Sequence, residues 1–142
     1  MRRDSITQFT GKYFFLSNYF QAPITYAGIT YDNNEAAFQS AKTIDLNKRM
    51  KFSNLPPNRA KSLGRHITLR DDWEDVKFDV MYDVCVAKFT QNEDLKKKLL
   101  DTNDAYLEEG NTWGDCIWGT CNGVGENHLG KILMRIREEL KK

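Results

Sequence analysis

Two matching triplets of β-branched and aromatic residues, Ile24-Thr25-Tyr26 and Ile29-Thr30-Tyr31, flank Ala27-Gly28. Alternating side chains on either side of a glycine able to take positive φ predict a two-stranded hairpin. Asp32-Asn33-Asn34 then offers N-cap side chains ahead of Glu35-Ala36-Ala37-Phe38-Gln39-Ser40-Ala41-Lys42, a run of good helix formers, so a helix is expected to start there. Asp45 to Phe52 read as a short helix or its continuation. Pro56-Pro57 ends that stretch and supplies an N1 proline for a helix through Leu63, with Gly64 as its C-cap. After Asp71-Asp72, the apolar positions Trp73, Val76, Val80, Val84 and Ala87 recur at helical spacing and predict the central amphipathic helix. Asn92 is read as the cap of a helix carrying Leu95, Leu99 and Leu100, and Ala105-Tyr106-Leu107-Glu108 as a strand before a turn at Gly110-Asn111. Trp113 to Gly125 has no period and is rich in Gly, Trp and Asn, which suits an ordered loop. A last helix opens at Asn127 and turns Leu129, Ile132, Leu133, Ile136 and Leu140 inward.

Composition bounds the class. With 142 residues, 40% hydrophobic and 29% charged, the chain fits a single domain over 1–142 with a real core, and not a disordered tail. Twenty-one basic against 20 acidic residues give a formal charge of +1, so the total charge draws in neither nucleic acid nor anionic lipid. Apolar runs fall short of a membrane span, and Met1-Arg2-Arg3-Asp4 is not followed by the apolar stretch of a secretory signal, so a cytoplasmic protein with no membrane partner is expected. Three cysteines, Cys85, Cys116 and Cys121, are an odd number without framework spacing and read as free thiols.

Candidate chemistry concentrates in three segments. Helical spacing puts Glu35, Gln39 and Lys42 on one face with Phe38 beside them. A carboxylate and an amine within a turn of each other tune each other's protonation, giving an acid or base near neutral pH and an amine nucleophile for a sugar C1 carbon; a plain ion pair on a solvated face is the alternative. In Leu69-Arg70-Asp71-Asp72-Trp73 a guanidinium and an indole stand at the start of the central helix, where Arg70, with Arg65, suits phosphate; alternatively an aspartate caps the helix and Trp73 packs in the core. Glu109-Gly110-Asn111-Thr112-Trp113-Gly114-Asp115 gathers acid, amide and indole among glycines, with Asp115 as the best lone carboxylate. Gly119, Gly123 and Gly125 ahead of Asn127 can present backbone N–H groups to phosphate, without the spacing of a Walker or Rossmann loop. Cys116, Cys121 and His128 lack zinc-ligand spacing, so no metal is expected, and His66 reads as a packed or exposed side chain.

Taken together, Phe14-Phe15-Leu16-Ser17-Asn18-Tyr19-Phe20, Glu35-Ala36-Ala37-Phe38-Gln39-Ser40-Ala41-Lys42, Leu63-Gly64-Arg65, Leu69-Arg70-Asp71-Asp72-Trp73, Leu107-Glu108-Glu109-Gly110-Asn111, Trp113-Gly114-Asp115, Trp118-Gly119, Gly125-Glu126-Asn127 and Leu129-Gly130-Lys131-Ile132-Leu133-Met134 resemble the YbiA-like or NADAR family over nearly the whole chain. The resemblance implies a mainly helical α+β domain with a small antiparallel β-hairpin. It also implies an N-glycosidase that needs neither metal nor cofactor and cuts the bond between ribose C1 and a base nitrogen. Carried over by motif, Glu35, Lys42 and Asp115 are expected to be catalytic. Asn18, Phe38, Arg65, Arg70, Trp73, Asn111, Trp113, Gly125 and Asn127 are expected around the substrate. Asn34 stands where relatives often carry Ser or Thr, and Ala36-Ala37 replaces a bulkier pair, which reshapes the expected base pocket.

Two substrate classes share this bond: ribosylamino-pyrimidine phosphates of riboflavin biosynthesis, which are the first expectation, and ADP-ribosylated guanine in nucleic acid. A non-catalytic ADP-ribose or nucleotide reader is a third reading. The near-neutral charge favours the small phosphorylated metabolite as the partner. Oligomeric state is not written in the sequence.

Overall fold

A computed structural model describes residues 4–142; the Met1-Arg2-Arg3 start, part of the reading that no secretory signal is present, lies outside them. In chain order the elements are β1 (Ser5–Ile6), a 3₁₀ turn (Gly11–Leu16), β2 (Gln21–Tyr26), β3 (Ile29–Asn33), α1 (Asn34–Ser40), α2 (Leu46–Met50), α3 (Pro57–Gly64), α4 (Trp73–Gln91), α5 (Glu93–Leu100), β4 (Tyr106–Leu107), β5 (Gly110–Asn111), β6 (Thr120–Cys121) and α6 (His128–Leu140). This is a mainly helical α+β chain, as expected. Two compact units organise the chain, residues 4–17 with Glu93–Lys142, and Asn18–Asn92.

In the Asn18–Asn92 unit, β2 and β3 form the expected antiparallel hairpin, with Tyr26 opposite Ile29 and Ile24 opposite Tyr31. Ala27 and Gly28 both take positive φ, +51° and +85°, as a primed two-residue turn requires. The Asn33 carboxamide caps α1 by accepting the Ala36 N–H at 2.8 Å, worth about 1 kcal/mol. All seven residues of α1 are buried, and α3, α4 and the hairpin pack around it. The helix therefore ends at Ser40, and Lys42 lies just beyond it.

Three expected caps serve other purposes. Gly64 is the last helical residue of α3 and has Arg65 in the right-handed conformation after it, so it is not a positive-φ C-cap. Asp72 precedes α4 without capping it, because its carboxylate is taken by Arg70. Asn92 does not open the next helix; its side chain donates to Pro23 O at 3.0 Å and Lys88 O at 2.9 Å, closing α4 and holding it to β2. Beside it, Gln91 gives its amide to Thr25 O and accepts the Thr25 N–H, so a side chain completes the strand's hydrogen bonding. Burial of α4 is too broad for a simple amphipathic stripe: even Lys88 is buried, its ammonium 5.7 Å from the Phe20 ring, and burial pushes its pKa down to about 7.

In the other unit, β1 pairs in parallel with β4, and β5 in parallel with β6. The expected turn at Gly110-Asn111 is thus a strand. Packing of α6 against β4 and α5 buries Leu129, Leu133 and Ile136 fully, Ile132 and Leu140 only in part. Cys85 is buried, Cys116 exposed and Cys121 in between, all as free thiols, and burial raises Cys85 to about 12. Among the described residues no helix is long and apolar enough to cross a membrane.

Candidate active site

In the Asn18–Asn92 unit the Glu35 face is a buried cluster, which removes the solvated-face reading. Glu35, Phe38 and Gln39 are each at most 8% exposed. One helical turn separates Glu35 from Gln39, and the Gln39 amide donates to Glu35 Oε1 at 2.9 Å. The Glu35 N–H is held by Asn18 O at 3.0 Å. From α4, Trp73 meets Phe38 with ring centroids 5.2 Å apart, tilted by 55°, so the two expected aromatics do come together, as a buried pair.

Lys42 is half-buried, close enough to Glu35 to feel its charge. Burial lowers its pKa, Glu35 pulls it back up, and the positive charges of Arg65 and Lys61 lower it further. An amine in that setting sheds its proton more readily than a surface lysine, which nucleophilic or acid–base work requires. Lys61 and Arg65 lie one turn apart on and just beyond α3, and together supply positive charge for an anionic ligand. Lys61 was not singled out from the sequence, although its i, i+4 spacing from Arg65 was there to be read.

Arg70, expected to suit phosphate, has its guanidinium engaged within the protein. Its guanidinium grips Asp72 with both prongs, at 2.6 and 3.1 Å, while the Arg70 backbone N–H donates to Lys42 O at 2.8 Å. It latches the segment before α4 onto the chain end that carries Lys42. Asn18 is likewise engaged in the interior: its side chain donates to Met81 Sδ at 3.4 Å and accepts from Asn34 at 3.1 Å, and Asn34 also donates to Cys85 Sγ. The asparagine that departs from the family pattern at position 34 thus serves an internal polar network.

In the other unit, Asp115 and Asn111 form a local frame. The Asn111 side chain accepts the Asp115 N–H at 3.0 Å and donates to Asp115 O at 2.8 Å. Asp115 Oδ1 accepts the N–H groups of Ile117 and Trp118 at 3.1 and 3.0 Å, so one carboxylate oxygen braces the loop. Trp113 is 63% exposed, and Gly125 packs on the Gly119–Thr120 backbone. Asn127 sits at φ +54° with its side chain spent on the Glu109 N–H at 3.0 Å and Leu107 O at 2.9 Å. His128 pairs with Glu126 at 2.8 Å, and among the described residues no group of three or more His, Cys, Asp or Glu could hold a metal ion.

Known proteins resemble this chain over most of its length. N-glycosidase YbiA of Shigella flexneri serotype 5b is 39% identical over 128 residues, 87% of this chain and 79% of that protein. A riboflavin biosynthesis protein of Vibrio vulnificus, VVA0006, is 35% identical over 131 residues, 89% of this chain but only 35% of that longer protein. The NMR structure of Escherichia coli YbiA superposes with a TM-score of 0.86 at 35% identity, over 99% of this chain and 88% of that one. A model of the NADAR domain matches residues 3–141. By that match and by its likeness to N-glycosidases over most of its length, the chain belongs to the NADAR domain family and is an N-glycosyl hydrolase.

Proposed function

We propose that the substrate is a ribosylamino-pyrimidine phosphate of riboflavin biosynthesis, cleaved between ribose C1 and the exocyclic nitrogen. The observation that carries this reading is Lys42, an amine of lowered pKa beside buried Glu35 with Arg65 and Lys61 adding positive charge around it. A phosphorylated sugar matches that charge, and the riboflavin-related name of the Vibrio relative points to the same substrate class.

A ribosylamine suits an amine nucleophile. The lone pair on its exocyclic nitrogen expels the ring oxygen, which takes a proton, and C1 becomes an iminium carbon. Neutral Nζ of Lys42 adds there, and the pyrimidine amine departs with a proton delivered through Glu35, leaving a Schiff base between Lys42 and C1. Water then adds to C1, the C1–Nζ bond breaks, and the sugar phosphate leaves with the lysine restored. The Glu35 carboxylate also offsets positive charge at C1 in each step. Asp115 as a catalytic acid is a separate claim, tested by Asp115→Asn alone.

The deciding measurement is release of free base by purified protein from a ribosylamino-pyrimidine phosphate and, in parallel, from ADP-ribosylated guanine in DNA, with Glu35→Ala as control. Release from the first substrate alone, lost in the variant, is the expected result. Release from the DNA alone assigns the enzyme to ADP-ribosylated nucleic acid. Tight ADP-ribose binding with no release from either makes it a reader.

A further inference from the structure

We infer that Gln39 is a positioning residue for the Glu35 carboxylate, and that Gly64 on α3 is the seat that holds Gln39 in place. The inference rests on the catalytic role proposed for Glu35.

Gln39 lies one turn beyond Glu35 on α1, and its Nε2 reaches Glu35 Oε1 at 2.9 Å. Only the NH₂ end of a carboxamide can face an ionised carboxylate, so the chemistry fixes which way the amide points. The opposite end, Gln39 Oε1, is directed at α3, where it is buried without a hydrogen-bond partner. A Cβ on Gly64 would fall 1.9 Å from that oxygen and 2.8 Å from Gln39 Cδ, so any other residue at 64 would drive the amide out of its place. Gly64 has no positive φ that calls for glycine.

Two locally unfavourable choices therefore meet at one contact: a glycine of helical conformation in the last turn of α3 and a buried amide oxygen with no partner. A methionine at 39 would fill the same space without the buried oxygen, and an alanine at 64 would strengthen α3. Desolvation favours the first replacement and helix propensity the second; the hydrogen bond to Glu35 is what the present pair gains. A donor on the charged form of a carboxylate holds it ionised to lower pH and fixes its rotamer. Both matter for a group that shuttles a proton to a leaving amine next to Lys42.

The test uses Gln39→Met, which keeps length and removes the donor, and Gly64→Ala, which displaces the amide without touching α1. For Gln39→Met, kcat is expected to fall roughly tenfold with KM within about twofold, and the lower of the two acid-side breaks in kcat/KM, set by ionisation of Glu35 and not by the Lys42 amine, to move up by about one pH unit, while the thermal midpoint holds or rises. Gly64→Ala is expected to give the same shift of that lower break, and to add nothing further in a Gln39→Ala background, since the displaced group is already gone. A Gln39→Met enzyme with the original kcat and pH profile, alongside an inactive Glu35→Ala, overturns the inference. So does an even loss at every pH that tracks a lowered thermal midpoint, which marks a merely structural residue. If Glu35→Ala is itself fully active, the catalytic reading falls first and takes this inference with it.

Discussion

Borohydride added during turnover is expected to leave a stable sugar-phosphate adduct on Lys42, seen as a mass increment on the peptide that carries it, and Lys42→Arg is expected to lose roughly 10³-fold or more in kcat. Arginine keeps the positive charge and much of the stem but stays protonated, so it supplies electrostatic stabilisation without a nucleophile. That substitution thus separates the two roles that an alanine would remove together. The direction of the pH dependence follows from the environment of Lys42. The reactive form is the neutral amine, so kcat/KM should rise with pH through the Lys42 pKa, and burial with the nearby charges of Arg65 and Lys61 sets that rise below the range of a free lysine. Lys61→Ala removes one of those charges, and the rise should then move to higher pH. An active enzyme that gives no adduct on Lys42 under borohydride argues for direct attack of water on C1.

The parts of this site written in adjacent turns were legible in the sequence. Glu35 and Gln39 could be placed on one face because helical spacing is a local rule, although Lys42, read onto the same face, lies beyond the end of that helix; the hairpin was legible because its turn residues and alternating strands are contiguous. The length of α4 made its existence plain, though its breadth of burial was not. What spacing could not say is which partner a polar side chain would choose. Asp72, Asn92 and Asn127 all have the right chemistry for a helix cap, yet Asp72 answers Arg70, Asn92 closes the helix behind it, and Asn127 holds the backbone of β4 and its neighbour Glu109. Gly64 shows the same limit, since a glycine at a helix end reads as a left-handed cap until the side chain lying against it is known. The parallel pairs β1–β4 and β5–β6 are two residues long and distant in sequence, too short for any period to announce them.

Asn127 carries the largest stability prediction. Its alanine variant is expected to lower the free energy of unfolding by about 2–4 kcal/mol, because the Glu109 N–H and Leu107 C=O lose partners at roughly 1 kcal/mol or more each, and alanine is strained by about 1 kcal/mol at positive φ. Asn127→Gly relieves the backbone strain but not the lost hydrogen bonds, so it should recover only the smaller share. Gly130 belongs to the same joint: a Cβ there would fall 2.1 Å from Leu107 O, so α6 meets β4 at a contact that tolerates no side chain. Urea unfolding of the two Asn127 variants measures both parts, and the gap between them gives the strain alone. The family resemblance places Asn127 around the substrate, and that role makes the opposite forecast, an unchanged unfolding curve with a raised KM. Because both ends of the carboxamide are spent on backbone 18 and 20 residues away, the first outcome is the one the geometry demands.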